Sequence, residues 1–243
     1  MDDLPPSAVP DPANPAVAAL LDGLRRLSPD QYKTFLGHAL TVGRSLSVFD
    51  YPPGVWPPPT PARAYIRDFL LEFRPHARGR CVEFFPALYR DLLDGDGRIT
   101  AYETWNLSPA PGVTVVADLQ DAAGVPDGAF DTIVCTHVLS AVQDVARACA
   151  ELRRVLAPGG MLLVTVPCVL QKYAPDPQDF WRFTRDSLAS LLNGFSRVEL
   201  RGYGNAATVA GSPFFLMTDH FPDQTLAFHD PECPSVLAAA AWA

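Results

Sequence analysis

Apolar and polar positions follow three successive patterns in the second half of the chain, and together they predict a strand, a helix and another strand. Residues 130–135 form a short apolar run rich in β-branched side chains, which is typical of a strand buried on both faces. Asp144 is placed to cap a helix whose apolar positions recur at helical spacing, at Val145, Ala148, Leu152, Val155 and Leu156.

The end of this helix is marked by Pro-Gly-Gly at 158–160, which stops the helix and turns the chain. Residues 161–166 then form the next buried run. Because two strands joined by one helix are parallel with a right-handed crossover, this stretch predicts a βαβ unit.

The same alternation of strands and helices extends in both directions. Before the βαβ unit the pattern predicts a helix at 63–73, a strand at 80–84, a helix near 88–93 and strands around 98–104 and 113–117. After it the pattern predicts a helix capped by Thr184 and two final strands at 197–201 and 235–242. Such alternation is typical of an α/β fold, so residues 61–243 predict one α/β domain.

The part of the chain before residue 61 predicts a separate segment. Residues 1–15 hold five prolines and predict an extended or disordered lead, whereas 16–27 and 28–48 carry apolar positions at helical spacing. We expect these two helices either to cover a substrate pocket or to form a dimer interface. The proline-rich linker that follows carries Tyr51 and Trp56, which either pin the linker to the core, the favoured role, or form part of an active-site lid.

The net charge restricts the class of partner. The chain has 243 residues, a formal net charge of −8 and a pI near 5.0, and its basic residues are scattered. Nucleic-acid backbones are bound through basic patches, so we expect no nucleic-acid partner. No apolar run approaches the roughly 20 residues of a membrane helix, and five cysteines without a CxxC pair suit a reducing compartment. We therefore expect a cytoplasmic protein without a membrane partner.

Several stretches resemble the second half of class I S-adenosylmethionine (SAM) methyltransferases of the type 11-like group: FDTIVC, ELRRVLAPGG, MLLVTVP and DFWRFTRDSLASLL. A narrower resemblance, to a bacterial subgroup with a glycine-poor first turn, lies in TPARAYIRDFL, GRCVEFFPALYR, GYGN and FHDPECPSVL. The resemblance implies a Rossmann-like core with a seven-stranded, mostly parallel sheet whose last strand is antiparallel. An N-terminal helical cap over residues 1–60 precedes it here, and SAM is the implied cofactor.

In this family the cofactor lies at the carboxyl ends of the strands, where the strand order reverses. The resemblance implies cofactor contacts near the ends of the first four strands, at Glu83, Phe85, Ala87, Tyr89, Glu103, Asn106, Asp118, Leu119 and Thr136. Two places depart from the family pattern. Phe85 and Ala87 stand where glycine is usual, and Asn106 stands where a carboxylate is expected, with Glu103 as the alternative ribose partner.

Three residues are candidates for the chemistry of methyl transfer. His137, after the fourth strand, is predicted to act as a general base or else to be a structural histidine. Tyr173 and Arg182 follow the fifth strand, in the loop that borders the acceptor site in the family. Arg182 either binds a substrate carboxylate or phosphate, or pairs with Asp179 to fix the loop.

A metal site is not expected, because the spacing of His220, His229, Asp230 and Cys233 fits no tight zinc pattern. The leading prediction is methyl transfer from SAM to a small molecule, such as a sugar or a secondary metabolite in natural-product biosynthesis. The departures from the family pattern leave a competing hypothesis, a methyltransferase fold that catalyses a cyclisation or elimination instead. A third hypothesis is a non-catalytic partner, with the N-terminal helices forming a homodimer or other interface.

Overall fold

The structure is a computed structural model that describes residues 60–170, 178–212 and 216–243, together with seven scattered positions between residues 15 and 31. The chain divides into two compact units, residues 1–55 and 56–243, and all the continuously described residues belong to the second. The two predicted N-terminal helices and the linker with Tyr51 and Trp56 lie outside the continuously described residues. Their roles, and the predicted division after residue 60, stay predictions.

The strands of the described residues are β1 Gly79–Phe84, β2 Ile99–Asn106, β3 Val115–Val116, β4 Phe130–Thr136, β5 Leu156–Pro167, β6 Arg197–Tyr203 and β7 Val236–Trp242. They form one seven-stranded sheet in the order β3-β2-β1-β4-β5-β7-β6. β1 is parallel to both β2 and β4, and β4 is parallel to β5, whereas β7 runs antiparallel between β5 and β6. The predicted α/β fold, with a mostly parallel sheet and an antiparallel last strand, is confirmed.

The described helices are α1 Pro61–Phe73, α2 Arg90–Leu93, α3 Val145–Val155, α4 Arg185–Leu191, α5 Ala206–Gly211 and α6 Asp223–Ala227. Thr60, Asp144 and Thr184 cap α1, α3 and α4, because each side-chain oxygen accepts a backbone N–H of the first turn. The capping predicted for Asp144 and Thr184 is confirmed. None of the helices in the described part of the chain combines the length and the apolar character that crossing a membrane requires.

Both faces of the sheet are covered, because alternate residues of each central strand point to opposite sides. On one face Val82 and Ile133 belong to a buried cluster that includes the apolar side of α3 and α4. On the other face Cys81 and Val134 pack with the buried side of α1. The central strands are therefore buried on both sides.

The connection between α3 and β5 differs from the prediction. Leu156 was predicted to lie on the helix, but α3 ends one residue earlier and Leu156 already pairs with Phe130 of β4. The next ladder pair lies beyond residues 158–160, so the Pro-Gly-Gly stretch loops out of the strand, with Gly159 at φ = 70°. Pairing with β4 thus begins the strand before the glycines are reached. β3 is also shorter than predicted, since it pairs with β2 at only two positions.

Candidate functional site

The carboxyl ends of the parallel strands meet at one edge of the sheet. The strand order reverses between β1 and β4, which are neighbours although β2 and β3 lie between them in the chain. In open sheets of this type, ligands bind in the crevice at such a reversal, where the loops after the two strands lead apart. The loops after β1 and β4 therefore border the candidate site.

The loop after β1 is held in place by the carboxylate of Glu83, which is only 1% exposed. Its Oε1 accepts the backbone N–H of Leu88 at 2.7 Å, and its Oε2 accepts the N–H of Tyr89 at 3.1 Å and the hydroxyl of Tyr102. Burial raises the pKa of Glu83, while these hydrogen bonds to the charged form oppose that rise. Both oxygens thus serve the protein's own loop.

This loop replaces a glycine-rich turn by a side-chain scaffold. The N–H of Phe85 donates to the carbonyl of Trp105 at 2.8 Å, which continues the ladder, and Phe85 as a residue is 45% exposed. Ala87 is exposed as well. The glycines that the family uses for close approach of the backbone are absent from these positions, and an aromatic ring stands at the edge instead.

Arg63 reaches the same loop from the start of α1. Its Nη1 donates to the hydroxyl oxygen of Tyr89 at 3.2 Å, and Tyr89 is itself buried. Burial raises the pKa of Tyr89, and the positive charge of Arg63 opposes that rise. Sequence reasoning missed Arg63, because the contact joins residues 26 positions apart. The one sequence feature that could have pointed to Arg63 is its position in the first turn of α1, the helix that precedes β1.

The two ribose candidates on β2 have different surroundings. Asn106, the last residue of the strand, donates from Nδ2 to the carbonyl of Ser108 at 3.0 Å, and its Oδ1 is an acceptor at the edge. Glu103 lies three residues earlier in β2, and its carboxylate pairs with Arg80 at 2.6 Å. The structure therefore does not bring Glu103 to the strand ends, and its carboxylate forms a partly exposed ion pair there instead.

Asp118 lies just beyond the end of β3 and shapes its own turn. Its Oδ1 accepts the backbone N–H of Gln120 at 2.8 Å and the side-chain amide of Gln120 at 3.2 Å. Leu119 is buried in the same core cluster as Trp105. Of this neighbouring pair, Asp118 offers a polar group to a ligand and Leu119 anchors the turn.

His137 follows Thr136, the half-buried last residue of β4, and has a left-handed backbone with φ = 57°. Its N–H donates to the carbonyl of Thr165 at 2.8 Å, and its carbonyl accepts the hydroxyl of Ser140 at 2.9 Å. The ring nitrogen Nε2 is buried and has no hydrogen-bond partner among the residues described. An orphaned buried nitrogen of this kind is costly unless a ligand pairs with it.

The charge state of this ring follows from its surroundings. Burial lowers the pKa of His137 to about 3, and the positive charges of Arg63 and Arg182 add to that effect. The imidazole is therefore neutral at pH 7. A general base works best when its pKa lies near the working pH, and burial moves the pKa of His137 away from that range. Its predicted role as a general base stays a prediction, and Nε2 can take part in one hydrogen bond.

Of the two roles predicted for Arg182, the structure shows the ion pair with Asp179. Nη1 and Nη2 donate to the two carboxylate oxygens at 2.5 and 2.7 Å, and the Asp179 side chain is only 2% exposed. Nη2 also donates to the carbonyl of Leu170 at 3.0 Å. Tyr173 lies outside the described residues, so its catalytic role stays a prediction.

The segment around Arg182 is bound to the loop after β4. The N–H of Phe180 donates to the carbonyl of Ser140 at 2.8 Å, and the indole N–H of Trp181 donates to the carbonyl of Val142 at 2.8 Å. Large apolar side chains are exposed around the strand ends: Phe85, Leu107, Val116, Phe180 and Trp181. Such a lining suits a ligand with planar or apolar parts.

The remaining candidates lie elsewhere. Nδ1 of His229 accepts the N–H of Gly204 at 3.1 Å, and its ring packs edge-on against Tyr203. In the described part of the chain, no cluster of three His, Cys, Asp or Glu side chains is arranged to hold a metal ion. A cavity of about 240 Å³ beside Arg78 and Trp242 opens at the amino edge of the sheet, away from the strand ends that form the candidate site.

Part of the chain matches a known protein family, and its fold matches solved structures. Residues 98–164, from the start of β2 into β5, match the family described as methyltransferase domain. The fold is that of a class I SAM-dependent methyltransferase. A SAM-dependent methyltransferase from Archaeoglobus fulgidus superposes with a TM-score of 0.52 at 12% identity, over 74% of this chain and 94% of that one. One from Mesorhizobium loti gives a TM-score of 0.50 at 17% identity, over 76% and 98%.

A closer similarity in sequence covers a shorter stretch of this methyltransferase-fold chain. The human thiol S-methyltransferase TMT1B is 38% identical over 69 residues. These residues are 28% of this chain and 26% of that protein, so the match spans about a quarter of the curated relative's length. The predicted resemblance to class I methyltransferases is confirmed, while the substrate does not follow from these matches.

Proposed function

We propose that this chain is a SAM-dependent methyltransferase that acts on a small molecule. The observation that carries the proposal is a set of polar groups at the carboxyl ends of three strands of a methyltransferase-type sheet. Asn106 ends β2, Asp118 follows β3, and His137 follows β4 across the reversal of strand order. In the family resemblance, acceptors after the second and third strands bind the ribose hydroxyls and the adenine amino group.

The described residues fit the adenosine half of SAM. Oδ1 of Asn106 is an acceptor for a ribose hydroxyl, and the carboxylate of Asp118 is an acceptor for the adenine amino group. The exposed Phe85 and Leu107 provide apolar surface nearby for the rings. At the methionine half, the loop held by Glu83 takes the place of the glycine turn.

When bound, SAM supplies an activated methyl group on a sulfonium ion. The task of the chain is to hold the acceptor in line with that group, and well-oriented reactants lower a barrier by about 7–11 kcal/mol. His137 has a pKa of about 3, so it orients an acceptor through Nε2 rather than taking its proton.

The proposal is tested by calorimetric titration of the full chain with SAM and S-adenosylhomocysteine, after a mass-spectrometric check for either molecule carried through purification. We expect micromolar affinity. Asp118→Ala should weaken it at least about tenfold, because a hydrogen bond to a charged group contributes about 1.5–3 kcal/mol. Asp121→Ala is the matched control, since that carboxylate is 69% exposed and faces Arg147. No binding up to millimolar concentration contradicts the proposal.

A second candidate rests on Phe85 and Ala87, which occupy the places of the family's glycines. A methyltransferase fold with this altered turn is suited to a cyclisation or elimination, or to a non-catalytic partnership with an active homologue. A protein that binds no SAM, but gains affinity through Phe85→Gly with Asn106→Asp, supports this candidate. The small-molecule substrate, a homodimer through the N-terminal helices and a cytoplasmic location are further parts of the proposal.

A further inference from the structure

Arg63 brings a positive charge to the candidate site with no carboxylate at hydrogen-bond distance among the residues described. Its hydrogen bond there joins Nη1 to the hydroxyl oxygen of Tyr89, and a guanidinium has five N–H donors in all. The other guanidinium near His137, that of Arg182, is matched by the carboxylate of Asp179. The charge of Arg63 is therefore not explained by an ion pair of the kind that Arg182 makes with Asp179.

Two further donors belong to the same end of the sheet, since Tyr89 lies in the loop after β1 and His137 follows the neighbouring strand β4. The hydroxyl of Tyr89 accepts from Arg63, which leaves its own proton for donation. Nε2 of His137 is buried without a described partner, and the positive charge of Arg63 contributes to the lowering of its pKa. Glu83 also feels the charge of Arg63, but its oxygens bind the loop amides and the hydroxyl of Tyr102. The buried carboxylate thus orders the loop and does not occupy the guanidinium.

We propose that Arg63, Tyr89 and His137 form a subsite that binds a carboxylate group. A planar guanidinium can donate two parallel N–H groups to a carboxylate, and the phenol and the neutral imidazole each add a single donor. This inference rests on the proposed function, because only a bound SAM would put a reacting methyl group near this carboxylate. The test distinguishes two sources of such a group, the methionine part of SAM and a methyl acceptor that bears a carboxylate.

The first arm of the test measures the affinities of S-adenosylhomocysteine and 5′-methylthioadenosine, which lacks the amino-acid carboxylate. The variants are Arg63→Gln and the matched control Arg67→Gln, whose side chain is 62% exposed on the same helix. If the subsite holds the methionine carboxylate, Arg63→Gln weakens S-adenosylhomocysteine about 10-fold to 100-fold and leaves 5′-methylthioadenosine unchanged. Arg67→Gln changes neither affinity.

The second arm measures the preference for benzoate over benzamide by ligand-observed NMR, with and without saturating S-adenosylhomocysteine. If the subsite holds the acceptor, Arg63→Gln removes this preference and leaves both nucleosides bound as before. Arg63→Lys retains part of the preference, because it keeps the charge but loses the fork. Benzoate should also raise the pKa of His137 in the wild type, since its negative charge offsets that of Arg63.

Equal weakening of both nucleosides by Arg63→Gln, with no preference for benzoate in the wild type, marks a structural role and overturns the proposal. Unchanged S-adenosylhomocysteine affinity in Arg63→Gln, together with an unchanged or absent benzoate preference, overturns it as well. Failure of the proposed function gives a different result. If the protein binds no S-adenosylhomocysteine, but binds benzoate more tightly than benzamide and loses this preference in Arg63→Gln, the subsite exists and the proposed function is wrong.

Discussion

His137 occupies a left-handed backbone position, which Asn, Asp and His adopt more readily than other residues with a side chain. Asn is therefore the substitution that keeps the backbone and removes the imidazole. The ring is neutral because burial and two nearby guanidinium groups disfavour its charged form. Through His137, the stability of the folded protein therefore depends on the pH of the solution.

We expect His137→Asn to make the protein less sensitive to acid. The imidazole takes up a proton near pH 6.5 in the unfolded chain but only near 3 in the folded protein. Between these values the unfolded state binds more protons, so folding stability falls as the pH falls, by about 1.4 kcal/mol per unit. Between pH 7 and pH 5, urea unfolding should show a loss about 2 kcal/mol smaller in the variant than in the wild type.

The control for this measurement is His76→Asn, which makes the same replacement at an exposed histidine and so measures the general effect of exchanging an imidazole for an amide. Glu83 has a raised pKa and acts in the opposite direction, because the folded protein takes up its proton more readily. It is present in all three proteins, so its effect cancels in the comparison. Equal losses for His137→Asn and the wild type would contradict the burial of a neutral ring.

Among the described elements, the loop after β1 is held by side chains. Its backbone amides point at Glu83 rather than at a ligand, and Arg63 holds its far end through Tyr89. We therefore expect substitutions in this loop to change stability and the affinity for the proposed cofactor together, whereas those in a glycine turn act mainly through the backbone.

Glu83→Gln should destabilise the protein by about 1–3 kcal/mol, because an amide offers one acceptor oxygen where three donors converge. Glu103→Gln is the matched comparison on β2, since it breaks a partly exposed ion pair with Arg80, and should cost less than about 1 kcal/mol. Urea unfolding gives both values. A double-mutant cycle of Glu83→Gln with Tyr102→Phe should show coupling above about 0.5 kcal/mol. Equal costs for the two glutamates would count against the scaffold.

The segment that contains Asp179 should loosen when its ion pair is broken. Asp179→Asn removes the charge that matches Arg182, and we expect a cost of about 1–3 kcal/mol because the carboxylate is buried while the guanidinium is partly exposed. Hydrogen exchange at the N–H groups of Phe180 and Trp181 should become faster. Asp127→Asn, which alters an ion pair on an 81% exposed carboxylate, should leave both observables near wild type.

Local signals predicted the elements well. Asp144 and Thr184 indicate where their helices begin, because they cap them. The apolar runs of β4 and β5 can be identified from neighbouring residues in the sequence alone. The misplaced start of β5 has a non-local cause, since pairing with Phe130 decides it. The site was harder for the same reason: the contact of Arg63 with Tyr89 and the burial of His137 depend on packing between elements far apart in sequence.

For the whole molecule, cofactor binding should appear as added stability. A ligand that binds only the folded state at one hundred times its Kd contributes about 2.7 kcal/mol. For a domain of this size that corresponds to a rise in Tm of about 5–10 °C. Thermal unfolding with S-adenosylhomocysteine measures it, and benzamide, a ligand without the nucleoside, is the control. An unchanged Tm at millimolar S-adenosylhomocysteine argues for the fold without its cofactor.

β7 lies between β5 and β6 although it follows both in the chain. During synthesis β6 therefore emerges from the ribosome before the strand it pairs with, since β6 pairs with β7 alone within the described sheet. Until β7 emerges, one side of β5 is open to other nascent chains, and open strand edges promote aggregation. The interval between the emergence of β6 and the emergence of β7 thus determines how long the half-built sheet must be protected.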